Sequence, residues 1–142
     1  MTRYLADTSA WGLAQRKSVP SPLRESFANL LVSGQVATCG AVIWELLHRA
    51  NNAAEYELRR AELEQLKRTP FGESDWLRAL DIGQKLAEKG GSLHRAPSLT
   101  DAIVAVAAQR VGLTVLHYDK DFDLIAGVTG QPCEWIAPKG SL

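Results

Sequence analysis

Short β-rich segments alternate with helical segments along this chain of 142 residues, and this alternation constrains the fold more than any other feature. The sequence predicts strands over residues 3–6, 35–39, 114–118 and 134–136. Because helices then connect successive strands, the crossovers are right-handed and the strands mostly parallel. We therefore expect a single domain over residues 1–142, of the α/β class, folded as a small α/β/α sandwich with a mostly parallel sheet.

Prolines, glycines and capping residues delimit the helices between these strands. The spacing of apolar residues predicts helices over 10–15, 41–50, 55–68, 74–89 and 99–111, and a further one that begins near Leu23 and ends at Gly34. Residues 92–97 are predicted as a loop. In the charged helix over 55–68, a narrow apolar stripe consists of Leu58, Leu63 and Leu66.

Composition excludes several classes of protein. The longest apolar run, over residues 102–108, has seven residues, against ~20 for a membrane-spanning helix. Cys39 and Cys133 are too few for a disulfide framework and lack zinc-ligand spacing, which fits a reducing cytoplasm. Sixteen basic residues balance sixteen acidic ones, whereas nucleic-acid-binding proteins are usually basic. Binding to nucleic acid therefore requires that acidic residues be concentrated at one site.

Acidic residues mark the ends of predicted strands and the starts of predicted helices. Asp7 follows the first strand, Asp101 starts the helix over 99–111, and Asp119 and Asp121 follow the strand over 114–118. Ligands of parallel sheets bind beyond the carboxyl ends of the strands, and neighbouring strands are ~4.8 Å apart. These carboxylates could therefore share one ion, and an all-oxygen site suits Mg²⁺ or Mn²⁺.

Each acid also has an ordinary structural interpretation. Asp7 can cap the helix that follows it, and Asp101 can complete a capping box. Glu45 lies opposite the apolar side of its helix, where it can pair with Arg49 on a solvated face. The acids within 119–123 can start a helix, whose dipole favours negative charge. Capping and metal ligation do not exclude each other, because a carboxylate in a first helical turn is firmly held.

Four segments of the chain, in this order, carry a resemblance to a known family. They are Tyr4-Leu5-Ala6-Asp7-Thr8-Ser9-Ala10, Glu45 in its apolar helix, Leu99-Thr100-Asp101-Ala102-Ile103, and Leu116-His117-Tyr118-Asp119-Lys120-Asp121-Phe122. Together they resemble PIN-domain ribonucleases, and specifically the VapC toxins of bacterial toxin–antitoxin pairs. Each segment alone is a weak signal, but four in register over nearly the whole length are specific.

The resemblance implies a function, a site and partners. Four catalytic carboxylates are implied: Asp7, Glu45, Asp101 and Asp119. The same four with Asp121 would hold Mg²⁺ or Mn²⁺, and the auxiliary or substrate-contacting residues would be Thr8, Ser9, Arg49 and Arg95. The implied reaction is hydrolysis of RNA phosphodiester bonds in the cytoplasm, without a covalent protein nucleophile. The implied partners are the RNA substrate, a cognate antitoxin that lies in a helix-lined groove, and a second copy of the chain in a homodimer.

Several further assignments stay open. His48, His94 and Arg110 are additional candidates for phosphate contacts. The four tryptophans could stack on unpaired bases, although packing in the core is expected for most of them: Trp11, Trp44, Trp76 and Trp135. A catalytically inactive PIN-like module that only binds RNA or protein is the alternative function. A phosphotransferase of the haloacid-dehalogenase type is disfavoured, because it needs Asp-x-Asp where this chain has Asp7-Thr8-Ser9.

Overall fold

The computed structural model describes all residues from 1 to 142 and contains one four-stranded parallel sheet. The strands are β1 (Tyr4–Ala6), β2 (Val36–Ala37), β3 (Thr114–His117) and β4 (Cys133–Trp135), in the order β2-β1-β3-β4. β1 is central, since its Tyr4 lies opposite both Val36 of β2 and Thr114 of β3. The predicted parallel sheet is confirmed, although the strands are shorter than predicted or, for β4, shifted by one residue.

Seven α-helices surround the sheet. They are α1 (Thr8–Ala14), α2 (Ser21–Val32), α3 (Gly40–His48), α4 (Ala53–Glu64), α5 (Glu73–Lys89), α6 (Leu99–Val111) and α7 (Asp121–Thr129). α1 and α6 each contact both β1 and β3; α2 packs on α1, while α5 and α7 pack on α6. These two groups of helices give the predicted α/β/α class. Among the helices, none combines the length and the apolar character that crossing a bilayer demands.

Two helix boundaries differ from the prediction, each because of a particular hydrogen bond. α1 begins at Thr8 rather than residue 10, because the Asp7 side chain accepts from the Ser9 N–H and caps the helix there. α4 ends at Glu64 rather than at residue 68. The Thr38 N–H donates to the Lys67 carbonyl, so this stretch lies beside β2 as a bridge instead of continuing the helix.

The remaining helices lie within two residues of the predicted bounds, and two segments gain structure. The loop over 92–97 contains one short 3₁₀ helix, Leu93–Arg95. The acidic segment after β3 leads into α7, whose first turn carries Asp121 and Asp123. The structural interpretation of these acids as a helix start is therefore correct for part of the segment.

The core surrounds β1 and β3, and the tryptophans contribute less to it than predicted. Only Trp11 is buried, with its ring 5.0 Å from that of Phe27 in an edge-to-face contact. Trp44 is 69% exposed and Trp76 36% exposed, and Trp135 is partly buried. The expectation that most of the tryptophans pack in the core is wrong, because helical periodicity does not show which faces a neighbour covers.

The predicted leucine stripe of the charged helix is divided between different environments. Leu63 is buried, whereas Leu58 is 63% exposed, so Leu58 does not share a common apolar surface with the other two. Leu63 and Leu66 line a groove of about 290 Å³, whose wall also includes Trp11 and Leu31. The lining of the groove includes none of the predicted site acids.

Candidate active site

Asp7 lies at the carboxyl end of β1, where Ser9 holds its carboxylate. The Ser9 N–H donates to Asp7 Oδ2 at 3.0 Å and the Ser9 hydroxyl donates to the same oxygen at 2.6 Å. Ser9 Oγ also accepts from the Tyr118 N–H at 2.9 Å. One hydroxyl thus links the end of β1 to the end of β3. Asp7 is 3% exposed, and this burial raises the pKa of its carboxyl, with the Ser9 hydrogen bonds opposing the rise.

Three other carboxylates come together at the same edge of the sheet. One oxygen each of Asp101, Asp119 and Asp121 lies within 4.8 Å of the others, and we call these three residues the acidic cluster. Asp101 lies in the first turn of α6, Asp119 follows β3, and Asp121 begins α7. Because β3 is adjacent to β1, with Ala6 opposite Leu116, the chain leaves both strands at the same edge toward Asp7 and the acidic cluster.

The acidic cluster carries negative charge that no ion pair neutralises. Burial raises the pKa of Asp101 to about 6, and the charges of Asp7 and Asp119 add to the rise, while hydrogen bonding from Ser98 opposes it. Burial and then the charge of Asp119 raise the pKa of Asp121. The four ion pairs of the molecule involve none of these acids. A donor set of carboxylate oxygens that form no ion pair fits a hard divalent cation.

Capping leaves part of each carboxylate free. Asp101 completes the predicted capping box: the Ser98 N–H donates to Asp101 Oδ2 at 2.9 Å, and the Asp101 N–H donates to Ser98 Oγ at 3.2 Å. Asp119 Oδ1 accepts from the Asp121 N–H at 2.9 Å. Neither Asp101 Oδ1 nor Asp119 Oδ2 has a protein hydrogen bond. The structural interpretation is therefore correct and compatible with binding a cation.

Glu45 is placed beside these acids by Thr8. The Thr8 hydroxyl donates to Glu45 Oε1 at 2.6 Å, and the charge of Glu45 contributes to the raised pKa of Asp7. Glu45 is half-buried and makes no ion pair with Arg49, so the predicted pair on a solvated face is wrong. Asp7 and Glu45 lie outside the 4.8 Å group and flank the acidic cluster.

Of three arginines considered for phosphate contacts, two are exposed and unpaired, and one forms an ion pair. Arg49 is exposed at the C-terminal end of α3, and Arg95 is exposed in the short helix before α6; neither makes an ion pair or a side-chain hydrogen bond. Arg110 donates to the buried Asp75 of α5 at 2.5 Å. That pair joins α5 to α6, so the suggestion that Arg110 contacts phosphate is not supported.

His117 is a residue near the site that the sequence did not single out. It is fully buried, and its Nδ1 accepts from the Asp119 N–H at 3.2 Å. Its ring lies 4.9 Å from those of Phe122 and Trp135, and burial lowers its pKa, while the charges of Asp123 and Asp119 oppose that shift. Through its Nδ1, the ring fixes the turn that carries Asp119. The one signal in the sequence is a histidine at the end of an otherwise apolar strand.

Comparisons with known proteins agree with this fold and show the family of the chain. The model of the PIN domain family matches residues 4–128. Ribonuclease VapC18 and Ribonuclease VapC51 of Mycobacterium tuberculosis are 39% and 37% identical to this chain; the matches cover 98% and 99% of it, and 98% and 97% of those proteins. The chain therefore belongs to the PIN-domain family, and within it to the proteins named VapC.

Solved structures of low sequence identity share the fold. The DNA-bound VapBC from Salmonella typhimurium gives a TM-score of 0.69 at 21% identity, over 96% of this chain and 100% of that one. VapBC-5 from Mycobacterium tuberculosis gives a TM-score of 0.56 at 23% identity, over 95% of this chain and 98% of that one. The arrangement of strands and helices is thus common to proteins whose sequences have diverged widely.

Proposed function

We propose that this protein is a divalent-metal-dependent endoribonuclease that acts as the toxin of a toxin–antitoxin pair. The observation that carries the proposal is the acidic cluster at the sheet edge, flanked by Asp7 and Glu45. Relatives named ribonucleases, at 37–39% identity over nearly the whole chain, support RNA as the substrate. With RNA as substrate and two free cysteines, the cytoplasm is the location that we propose.

The acidic cluster would hold the ion, Mg²⁺ or Mn²⁺. Asp101, Asp119 and Asp121 each offer a carboxylate oxygen within 4.8 Å of the other two. The carboxylates of Asp7 and Glu45 add further negative charge around the proposed ion site. A bound divalent ion would polarise the scissile phosphate and make a nearby water molecule more acidic. Burial, and then the charges of Asp7 and Asp119, raise the pKa of Asp101, and a positive charge beside these carboxylates would favour their ionised forms.

The side chains of the protein orient the reacting groups. Ser9 holds the Asp7 carboxylate, and Thr8 holds Glu45 through its Oε1. Glu45 Oε2 has no protein partner, so it can accept a proton from a water molecule that attacks the phosphate. The capping hydrogen bonds fix Asp101 and Asp119. Because these four carboxylates are held before substrate arrives, little reorganisation of them is needed during the reaction.

Two protein partners are proposed, an antitoxin and a second copy of the chain. The groove lined by Leu63, Leu66, Trp11 and Leu31 has the apolar character that an amphipathic helix of an antitoxin would cover. The VapBC assemblies that share this fold are consistent with such a partner. We also keep the proposal that the toxin forms a homodimer.

The test of the proposed function is RNA cleavage by the purified protein with and without a divalent ion. We expect Mn²⁺ or Mg²⁺ to support cleavage, and EDTA to stop it. Asp101→Asn should lower the rate by at least about a hundredfold, because it removes charge that the ion needs in a preorganised site. As a matched control, Asp81→Asn changes an exposed acid of α5 and should cleave at the native rate.

Two outcomes would contradict this proposal. If RNA bound but stayed intact with Mn²⁺ in excess, the protein would be the catalytically inactive binding module instead. If Asp101→Asn cleaved as fast as the native protein, another site would be responsible for the activity. Sequencing the ends of RNA recovered after brief expression in cells would identify the RNA target and the position of the cut.

A further inference from the structure

A cleft of about 480 Å³ lies next to the acidic cluster and shares two residues with the candidate active site, Thr8 and Glu45. Its other walls come from α3, through Trp44, His48 and Arg49, and from the start of α6, through Leu99 and Thr100. The volume is in the range of small-ligand sites, ~300–1,000 Å³. We call this cavity the Trp44 cleft. Because its wall residue Thr100 immediately precedes Asp101, a ligand bound in the cleft would lie next to the acidic cluster.

Trp44 gives the cleft an aromatic wall that the protein itself does not use. Its side chain is 69% exposed, whereas Ile43 and Leu46 on the same helix are buried. The aromatic contacts of the molecule do not include Trp44. A single exposed apolar residue is ordinary on a protein surface, but an indole at the rim of an acidic site is a stacking surface for a nucleobase.

The cleft also has one cationic side chain, Arg49, that forms no ion pair. The Arg49 guanidinium lies near α1, since its Nη1 would be 3.4 Å from a Cβ added at Gly12, and α1 also carries Thr8. Arg49 takes part in none of the four ion pairs of the molecule. Aromatic and cationic groups in one cleft are complementary to a base and its phosphate.

We infer that the Trp44 cleft binds one unpaired nucleotide of the RNA, with the base stacked on Trp44 and its phosphate at Arg49. The neighbouring phosphodiester then lies toward Glu45 and the acidic cluster. A base inside a duplex is already stacked on both faces, so the cleft selects single-stranded or looped RNA. The inference rests on the proposed function for the identity of the polymer, but the binding step can be measured without cleavage.

The test compares binding of two labelled strands by fluorescence anisotropy, in an Asp101→Asn background with EDTA present, so that the RNA stays intact. One strand is a mixed-sequence single-stranded RNA dodecamer, and the other has the same phosphates but no bases. Stacking of one base accounts for ~1–3 kcal/mol, so Trp44→Ala should weaken binding of the RNA about tenfold and leave the abasic strand unchanged. Trp44→Phe should restore most of the affinity, and Arg49→Ala should weaken binding of both strands.

Trp76→Ala is the matched control, because Trp76 is a partly exposed tryptophan of α5 that does not line the cleft. It should bind both strands like the parent. The inference is overturned if Trp44→Ala weakens both strands equally, or if it binds RNA as tightly as the parent. It is also overturned if light scattering shows that Trp44→Ala changes the oligomeric mass, since Trp44 would then belong to a protein interface.

These outcomes separate the inference from the proposed function. If the native protein does not cleave RNA with Mn²⁺, but Trp44→Ala weakens binding of the RNA and not of the abasic strand, the cleft is a nucleotide site in a binding module. If cleavage requires Asp101 but Trp44→Ala binds and cleaves like the native protein, the nuclease stands and the cleft has no part in it.

Discussion

At the scale of single residues, Asp101 combines a structural role with an electrostatic cost. It completes a capping box with Ser98, yet burial and the charges of Asp7 and Asp119 raise its pKa to about 6. A group whose pKa is higher in the folded than in the unfolded protein binds its proton more tightly when folded. The metal-free protein therefore loses stability as the pH rises from about 4 to 6, because ionised Asp101 is disfavoured in the folded state.

This linkage predicts the behaviour of Asp101→Asn without metal. An asparagine keeps an oxygen for the Ser98 N–H but carries no charge, so at pH 8 the variant should be more stable by about 1–2 kcal/mol. At pH 4, where Asp101 itself is protonated, the difference should vanish. Urea unfolding at the two pH values in the presence of EDTA measures both quantities. A variant that is less stable at pH 8 would show that the capping hydrogen bond outweighs the relief of repulsion.

The exposure of Trp44 and the burial of His117 are two features of the site region that the residue pattern does not predict. The apolar side of α3, opposite Glu45, is buried as predicted, for instance at Ile43 and Leu46, but helical periodicity cannot show that Trp44 is left uncovered. The position of Asp7 after a strand indicates a site, whereas the Thr8–Glu45 hydrogen bond joins residues 37 positions apart. Contacts of this kind depend on how the helices pack in three dimensions, and a single sequence does not contain that information in readable form.

At the scale of secondary-structure elements, boundaries are predicted well where they are set by residues close in sequence, and poorly where they are set by contacts between distant residues. α6 was predicted with its observed bounds, because Ser98 caps its start and Gly112 ends it with a φ of 71°. The predicted end of α4 was wrong, because the hydrogen bond between the Thr38 N–H and the Lys67 carbonyl connects distant residues. Strand ends were predicted well enough to bring the acids to one edge, since parallel strands place their carboxyl ends together.

Ser9 connects two of these elements and gives a prediction at their scale. Its hydroxyl donates to Asp7 and accepts from the Tyr118 N–H, so it sets the distance between the ends of β1 and β3. Ser9→Ala should cost about 1–2 kcal/mol of stability, since it leaves the Tyr118 N–H without its acceptor, and should lower the rate of RNA cleavage about tenfold. Denaturant unfolding and a cleavage assay with Mn²⁺ measure the two effects.

Ser9→Thr is the matched control, because it keeps a hydroxyl at the same place in the first turn of α1. It should retain most of the activity and of the stability. If Ser9→Ala cleaves RNA at the native rate while losing stability, the link between the two strands serves the fold and not the positions of the acids.

At the scale of the whole molecule, the balanced charge conceals an uneven distribution. Sixteen acidic and sixteen basic residues give a formal net charge of zero, but Asp7, Glu45 and the three members of the acidic cluster lie at one edge of the sheet. The surface elsewhere is correspondingly more basic, as a partner for RNA requires. The concentration of ionised acids lowers the stability of the free protein at neutral pH, so a cation bound at the proposed site would raise that stability.

The linkage predicts that Mg²⁺ or Mn²⁺ raises the melting temperature by mass action. At a hundredfold excess over the dissociation constant, one bound ion adds about 2.7 kcal/mol to the free energy of unfolding, which corresponds to roughly 5–10 °C for a protein of this size. Differential scanning calorimetry at constant ionic strength separates this binding from general screening of surface charge. The melting temperature of Asp119→Asn should rise much less on adding the ion. Asp81→Asn, on the exposed face of α5, should show the same rise as the native protein. Equal shifts in all three proteins would place the ion elsewhere, because only the acidic cluster distinguishes the first variant from the second.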